Sequence, residues 1–196
     1  MNSDYVEKEN KSGTFLLIIG ELIMITTGRL TKELSECKNK LLGMKFPSIS
    51  AESLAGTKVT IHDSAKGSVV LVGMALKMTG QSQLDSWLEP FVREFGKTAG
   101  VTFFEVPMIG IDFKPMALMI ERGMRGGIPI EKHKHVVNYY GELSRYRLAL
   151  GMDDVDSGYL FLLDRAGIIR WMSRGYATRE KIYEMIEMTK RLAKKL

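Results

Sequence analysis

Gly158-Tyr159-Leu160-Phe161-Leu162-Leu163-Asp164-Arg165, followed by Ala166-Gly167 and Ile168-Ile169-Arg170-Trp171, reads as a buried strand, a tight turn and a second strand. The apolar run is short and is bounded by Gly158 on one side and Asp164 on the other, which fits a strand in a sheet covered on both faces. A hairpin turning on Arg165-Ala166-Gly167 follows.

Working outward, Lys66-Gly67-Ser68 is a turn, and Val69 to Met74 is a continuous apolar run rich in β-branched residues, a second buried strand. Gln83 to Gly96 reads as a helix, because Leu84, Trp87, Leu88, Phe91, Val92 and Phe95 fall on one face. Pro90 lies inside it and should kink it. Val101 to Pro107 is the next strand, with Ile109 to Phe113 continuing the crossing. Pro115 to Met124 and Val136 to Leu150 read as helices separated by the loop Arg125-Gly126-Gly127-Ile128-Pro129. Together they form a helical insert, and Met152 to Ser157 is an acidic turn leading into the hairpin. Thr178 can cap a last helix whose Ile182, Met185, Ile186, Thr189, Ala193 and Leu196 face inward, with acids early and Lys190, Arg191, Lys194 and Lys195 late, matching the helix dipole.

Before the first buried strand, Thr31 to Leu42 reads as a short helix stopped by Gly43. Phe46-Pro47-Ser48-Ile49, the Leu54-Ala55-Gly56 turn and Val59-Thr60-Ile61 form an extended opening. The expected division is an N-terminal extension with its helix over 1–42 and one α/β domain over 43–196, with a central sheet of roughly four or five strands.

Composition narrows the function classes. The 196 residues are 45% hydrophobic, enough to fill one core. A single cysteine, Cys37, excludes an intramolecular disulfide framework and a multi-cysteine zinc site, so a reducing cytoplasm is the expected compartment. The formal charge of +5 draws anionic partners of any kind, but without aromatic interleaving or a nucleic-acid motif no RNA or DNA partner is expected. His133 and His135 flank Lys134 without a carboxylate at helical spacing or a third ligand, so neither a metal nor another cofactor is expected. Trp87 and Trp171 read as packing residues.

Phe15 to Ile25 is apolar apart from Gly20 and Glu21, shorter than the ~20 residues a bilayer span needs. Asp4, Glu7 and Glu9 argue against a secretory signal or an Arg-rich presequence. Two readings stand: a translated leader ahead of a start at Met24, or an amphipathic helix packed on the domain or on a second copy, which would make a homo-oligomer.

The order strand, helix, strand, helical insert, hairpin, helix resembles that of thioredoxin-like domains, with peroxiredoxin-like opening strands. Redox-active members of that fold carry Cys-x-x-Cys at the start of the first core helix and a cis proline just before the hairpin. Counting from the strand puts Thr79-Gly80-Gln81-Ser82 at the first position, and counting from the helix proline puts Ser82 and Asp85 there. Neither register contains a thiol, and a hydroxyl cannot exchange with a disulfide. Ser82 with Asp85 reads as a helix N-cap, or the exposed amides there form an anion or peptide-carboxylate site. Gly158 stands at the proline position, either as a turn glycine or as an open edge for strand-like peptide pairing.

Ser86-Trp87-Leu88-Glu89-Pro90-Phe91, Arg147-Leu148-Ala149-Leu150-Gly151, and Gly158 to Asp164 with Ile169-Arg170-Trp171 narrow the likeness. With Ala177-Thr178 and Glu180, they resemble the mitochondrial F-type ATP synthase assembly factor ten family, from about Gly43 to Ala193. The resemblance implies a thioredoxin-like fold without general enzymatic activity and a role in assembling a hydrophobic membrane subunit. The expected function is therefore a redox-inactive protein-binding or chaperone-like assembly module whose client is a protein or peptide, including a membrane-complex subunit. The alternative is a thiol-dependent oxidoreductase or peroxiredoxin-like protein using Cys37 or a partner thiol. No catalytic residue is assigned. The expected binding surface gathers Thr79, Gln81, Ser82, Asp156, Ser157 and Gly158 with the basic Arg122 and Arg125, for an extended or acidic peptide.

Overall fold

A computed structural model describes residues 40–64 and 66–194. Residues 1–39 of the expected N-terminal extension, with Cys37 and nearly all of the expected Thr31 to Leu42 helix, and Lys195 and Leu196 of the expected last helix lie outside the described residues.

Seven strands form one sheet: β1 (Ser50–Ser53), β2 (Lys58–Thr60), β3 (Val69–Ala75), β4 (Val101–Gly110), β5 (Val137–Gly141), β6 (Gly158–Leu163) and β7 (Ile169–Arg174), in the order β2-β1-β5-β4-β3-β6-β7. β3 and β4 run parallel, pairing Val69 with Val101 through Ala75 with Pro107. The closing hairpin is antiparallel to them, with Val70 opposite Leu163 and Ala75 opposite Gly158. This is the strand arrangement expected of a thioredoxin-like domain. It is widened to seven strands from the four or five anticipated.

The widening corrects the reading of Val136 to Leu150 as one helix. Val137-Asn138-Tyr139-Tyr140 is β-branched and aromatic and pairs in parallel with the far end of β4, Met108 opposite Tyr139 and Ile109 opposite Tyr140. A helix remains only over Ser144–Leu150 (called α3 below), closed by Gly151 at φ 62°. β4 offers that edge because it extends past the expected Pro107 to Gly110. β1 then adds antiparallel to β5, and β2 to β1. Glycine and proline punctuation could not locate this strand, because its pairing partner lies some thirty residues away in the chain.

α1 (Gln81–Phe95) buries Leu84, Trp87, Leu88, Phe91 and Phe95, as its spacing requires. The helix continues through Pro90, which removes one N–H donor without ending it. α2 (Ala117–Gly127) follows a 3-10 segment over Ile111–Met116. Its last turn takes in Arg125-Gly126-Gly127, so the expected loop is reduced to Ile128 and Pro129. α4 (Arg179–Lys194) closes the chain, and the Lys181 N–H donates to Thr178 Oγ1 at 3.3 Å, the cap expected there.

Alternation along the strands divides the apolar residues between two faces. Val70, Val72, Met74, Tyr159, Phe161 and Leu163 point to one, with Phe46, Ile49, Tyr146 and Leu150 packed on them. Val69, Leu71, Leu160, Leu162 and Trp171 point to the other, beneath α1 and Met185 of α4. There Trp87 meets Trp171 edge-on at 5.4 Å and donates its indole N–H to the Gly175 carbonyl at 2.7 Å.

The hairpin turns where the sequence places it. Gly167, at φ +79°, takes the left-handed position, and Asp164 Oδ1 accepts the N–H groups of Ala166 and Ile168 at 2.9 and 3.0 Å. Burial alone would raise the Asp164 carboxyl, but the Ile168 N–H, the Arg170 guanidinium and the Ala166 N–H outweigh it and hold it below the usual range.

Candidate functional site

A thioredoxin-type site would lie where β3 ends, α1 begins and the loop before β6 returns. β3 ends at Ala75, a 3-10 turn spans Met78–Gly80, and α1 starts at Gln81. Thr79 to Ser82 therefore brackets the helix start, while Asp85 lies a full turn in. The N-cap is Gly80, with no side-chain cap, so the reading of Ser82 as N-cap is corrected. Ser82 Oγ instead hydrogen-bonds the Tyr176 hydroxyl at 2.9 Å.

The loop 153–157 is folded on its own carboxylates. Asp154 accepts the Ser157 hydroxyl at 2.6 Å and the Asp156 N–H at 3.0 Å. These bonds, the Ser157 hydroxyl foremost, hold the Asp154 carboxyl below its usual range. Asp156 in turn accepts the Thr79 hydroxyl at 2.9 Å and an ammonium hydrogen bond from Lys77 at 3.2 Å. Gln83 joins loop to helix: its Nε2 donates to the Asp156 carbonyl at 3.0 Å, and its Oε1 accepts the Gly158 N–H at 2.9 Å.

Gly158 is thus not an open edge. Its N–H is taken by Gln83, its carbonyl accepts the Gly175 N–H at 3.0 Å, and it pairs with Ala75 in the sheet. A Cβ there would stand 2.9 Å from the Gly80 carbonyl oxygen and 3.0 Å from Leu84 Cδ2. The glycine is set by close approach of α1, and the expected strand-like pairing at this position has no free backbone groups to use.

Thr79, Asp156, Ser157 and Gly158 are brought together here, with Ser82 on the Tyr176 side. Gln81 turns toward the flank of α1, where its amide donates to Asp85 at 3.2 Å and hydrogen-bonds the carboxyl of Glu105. Glu105 is buried, and that burial raises its pKa. The Gln81 bond opposes the rise, Asp85 adds to it and Lys132 opposes it. A cleft of about 290 Å³ lined by Asp85, Glu89, Arg93, Phe103, Glu105 and Lys132 opens beside them. Arg125 does not join the corner: its Nε–H donates at 2.8 Å to the Leu54 carbonyl, at the end of β1, which β5, β4 and β3 separate from β6. Arg122 is exposed on α2, away from the corner's hydrogen bonds.

Sequence reading missed Gln83, Tyr176 and Glu105. Gln83 looks like any exposed helical glutamine, Tyr176 depends on the turn after β7, and a glutamate within a strand gives no sign of its burial. His133 and His135 each hydrogen-bond a main-chain carbonyl, of Ile128 at 2.8 Å and of Phe103 at 3.0 Å. Among the described residues no group of three or more His, Cys, Asp or Glu is placed to hold a metal ion.

Residues 39–192 match the family model described as ATP10 protein. The chain belongs to the ATP10 protein family. No curated protein matches it. Among solved structures, it is similar to a proposed protein disulfide isomerase from Bacteroides thetaiotaomicron, at 15% identity and a TM-score of 0.58 over 79% of this chain and 91% of that one. BsSco, a member of the Sco family of cytochrome c oxidase assembly proteins, superposes with a TM-score of 0.57 at 13% identity over 79% and 96%. A proposed thiol:disulfide interchange protein, DsbE, from Chlorobium tepidum does so with a TM-score of 0.54 at 21% identity over 78% and 96%. At these identities the likeness establishes the thioredoxin-like fold and nothing about chemistry.

Proposed function

We propose that this ATP10 family member is a redox-inactive thioredoxin-fold module that binds a protein client during assembly of a membrane complex, ATP synthase being the client complex that family membership favours. The observation that carries the reading is the start of α1, where Thr79, Gly80, Gln81 and Ser82 stand in place of a thiol pair. Thr79 and Ser82 are engaged by Asp156 and Tyr176, and neither hydroxyl can perform disulfide exchange. What that corner offers is a contact surface: Met78 and Tyr176 are exposed apolar side chains flanking the polar Lys77, Thr79, Asp156 and Ser157. A chaperone-like role for a chain with a single cysteine fits a reducing compartment, the cytoplasm in this reading, and self-association remains compatible with it.

Insulin reduction by dithiothreitol and consumption of peroxide should both stay at the no-protein background, and Cys37→Ser should leave a native assembly phenotype intact. Turnover above background that vanishes in Cys37→Ser would replace this reading with the oxidoreductase one. Co-purification from the native host should recover subunits of a membrane complex with the wild type, and less of them with Met78→Asp combined with Tyr176→Asp. Unchanged recovery would move the client site elsewhere.

A further inference from the structure

α2 and the 3-10 segment before it expose a run of large apolar side chains. Leu118 is 83% exposed and Met119 67%, and Ile111, Phe113 and Met116 beside them are exposed as well. Ile130, after the helix, is 81% exposed. α2 has no buried residue, and its half-buried positions are Ala117, Ile120, Met124 and Glu121, whose carboxylate pairs with Arg125 at 3.1 Å. On β5 the side-chain amide of Asn138 and the hydroxyl of Tyr140 are buried without a hydrogen-bond partner among the described residues. Glu121 and Arg125 are the charged groups that act on Tyr140. Ala117, Ile120, Glu121 and Met124, spaced i, i+3, i+4 and i+7, make the less exposed face of the helix, while Leu118 and Met119 stand in solvent, so α2 carries large apolar side chains on its outer face as well as its inner one.

We propose that Ile111, Phe113, Met116, Leu118 and Met119 dock the domain on an anionic lipid bilayer. Side chains this exposed project from the surface, the form in which apolar side chains enter the acyl boundary of a bilayer. The charge is of the matching sign. Residues 111–135 contain five Lys or Arg against three Asp or Glu, and Lys114 and Arg122, on the projecting segment, have no ion pair among the described residues. Asp112 lies between the apolar residues and opposes anionic lipid, so the basic side chains must dominate. An 11-residue helix is too short to cross a membrane and lies in the interface plane, apolar side down. This docking is independent of the client corner at the start of α1.

The test is flotation of the full-length protein with vesicles of phosphatidylcholine alone or mixed with phosphatidylglycerol. Wild type should float with the anionic vesicles and much less with the neutral ones. Leu118→Glu combined with Met119→Glu should reduce binding by about tenfold or more. Lys114→Glu combined with Arg122→Glu should erase the preference for anionic lipid. Both variants should keep the wild-type melting temperature, since α2 has no buried residue. Absence of flotation, or full binding by the leucine-methionine variant, which would assign membrane affinity to another segment such as Phe15 to Ile25, overturns the proposal. So does a dimer that the variant dissociates while vesicle binding is unchanged, the outcome expected if a second copy covers this surface.

Discussion

Gly158→Ala tests whether α1 and the hairpin are held as closely as the hydrogen bonds at the corner imply. The new methyl would meet a main-chain oxygen at 2.9 Å, the Gly80 carbonyl, and Leu84 at 3.0 Å, so the N-terminus of α1 has to shift by a few tenths of an ångström. Overpacking of this kind costs about 1–3 kcal/mol. Reduced freedom of the unfolded chain returns about 0.4–1 kcal/mol, leaving a net loss of about 1–2 kcal/mol. For a chain of this size that is a fall of roughly 2–8 °C in melting temperature. Gly73→Ala is the matched control, because its nearest contacts are Leu84 at 3.4 Å and Leu160 at 3.5 Å, ordinary van der Waals distances. Urea denaturation of the two variants should separate them by at least about 1 kcal/mol. Gly80→Ala strains the same approach, with Ala75 Cβ at 3.0 Å and the Gly158 nitrogen at 3.3 Å, so the double variant should lose less than the sum of the singles. If Gly158→Ala proves as stable as Gly73→Ala, the close approach is wrong and Gly158 is only a turn glycine.

Gln83→Ala leaves the Gly158 N–H without its acceptor and should cost about 1–3 kcal/mol in the same denaturation assay, whereas Gln83→Glu, which retains an acceptor, should recover most of the loss. Glu105 is a carboxyl raised by burial, so the folded state binds its proton more tightly than the unfolded chain, and stability falls as pH rises from the ordinary glutamate range through that raised pKa. Glu105→Gln should be more stable than wild type at neutral pH and should flatten that decline in melts taken across acid pH. Tyr159 is pushed up to about 12 by burial, against an opposing bond from the Asp154 backbone. Its neutral form therefore supports the fold fully below the usual phenol pKa of about 10 and loses that support as pH climbs toward the raised value. Tyr159→Phe should remove this alkaline component of unfolding, and an unchanged profile would show that Tyr159 is not responsible.

The sequence determined the elements whose partners are near in the chain or whose burial is complete. Val69 to Met74 and Tyr159 to Leu163 are apolar at every position because both of their faces are covered, and Asp164 with Gly167 specifies its own turn through local backbone bonds. The spacing of Leu84, Trp87, Leu88, Phe91 and Phe95 placed α1 for the same reason, and the lack of any thiol at its start was readable by counting. The tertiary structure decided what depends on long-range pairing and on close approach. Val137 to Gly141 becomes a strand only because β4 extends far enough to offer it an edge. Gly158 loses its apparent openness because Gln83, Gly175 and the Gly80 carbonyl already occupy its surroundings, and Arg125 leaves the expected surface because the Leu54 carbonyl is its nearest acceptor. Identity along the chain sets a residue's conformational and chemical range, but which groups satisfy its hydrogen bonds is fixed only when distant segments are brought together.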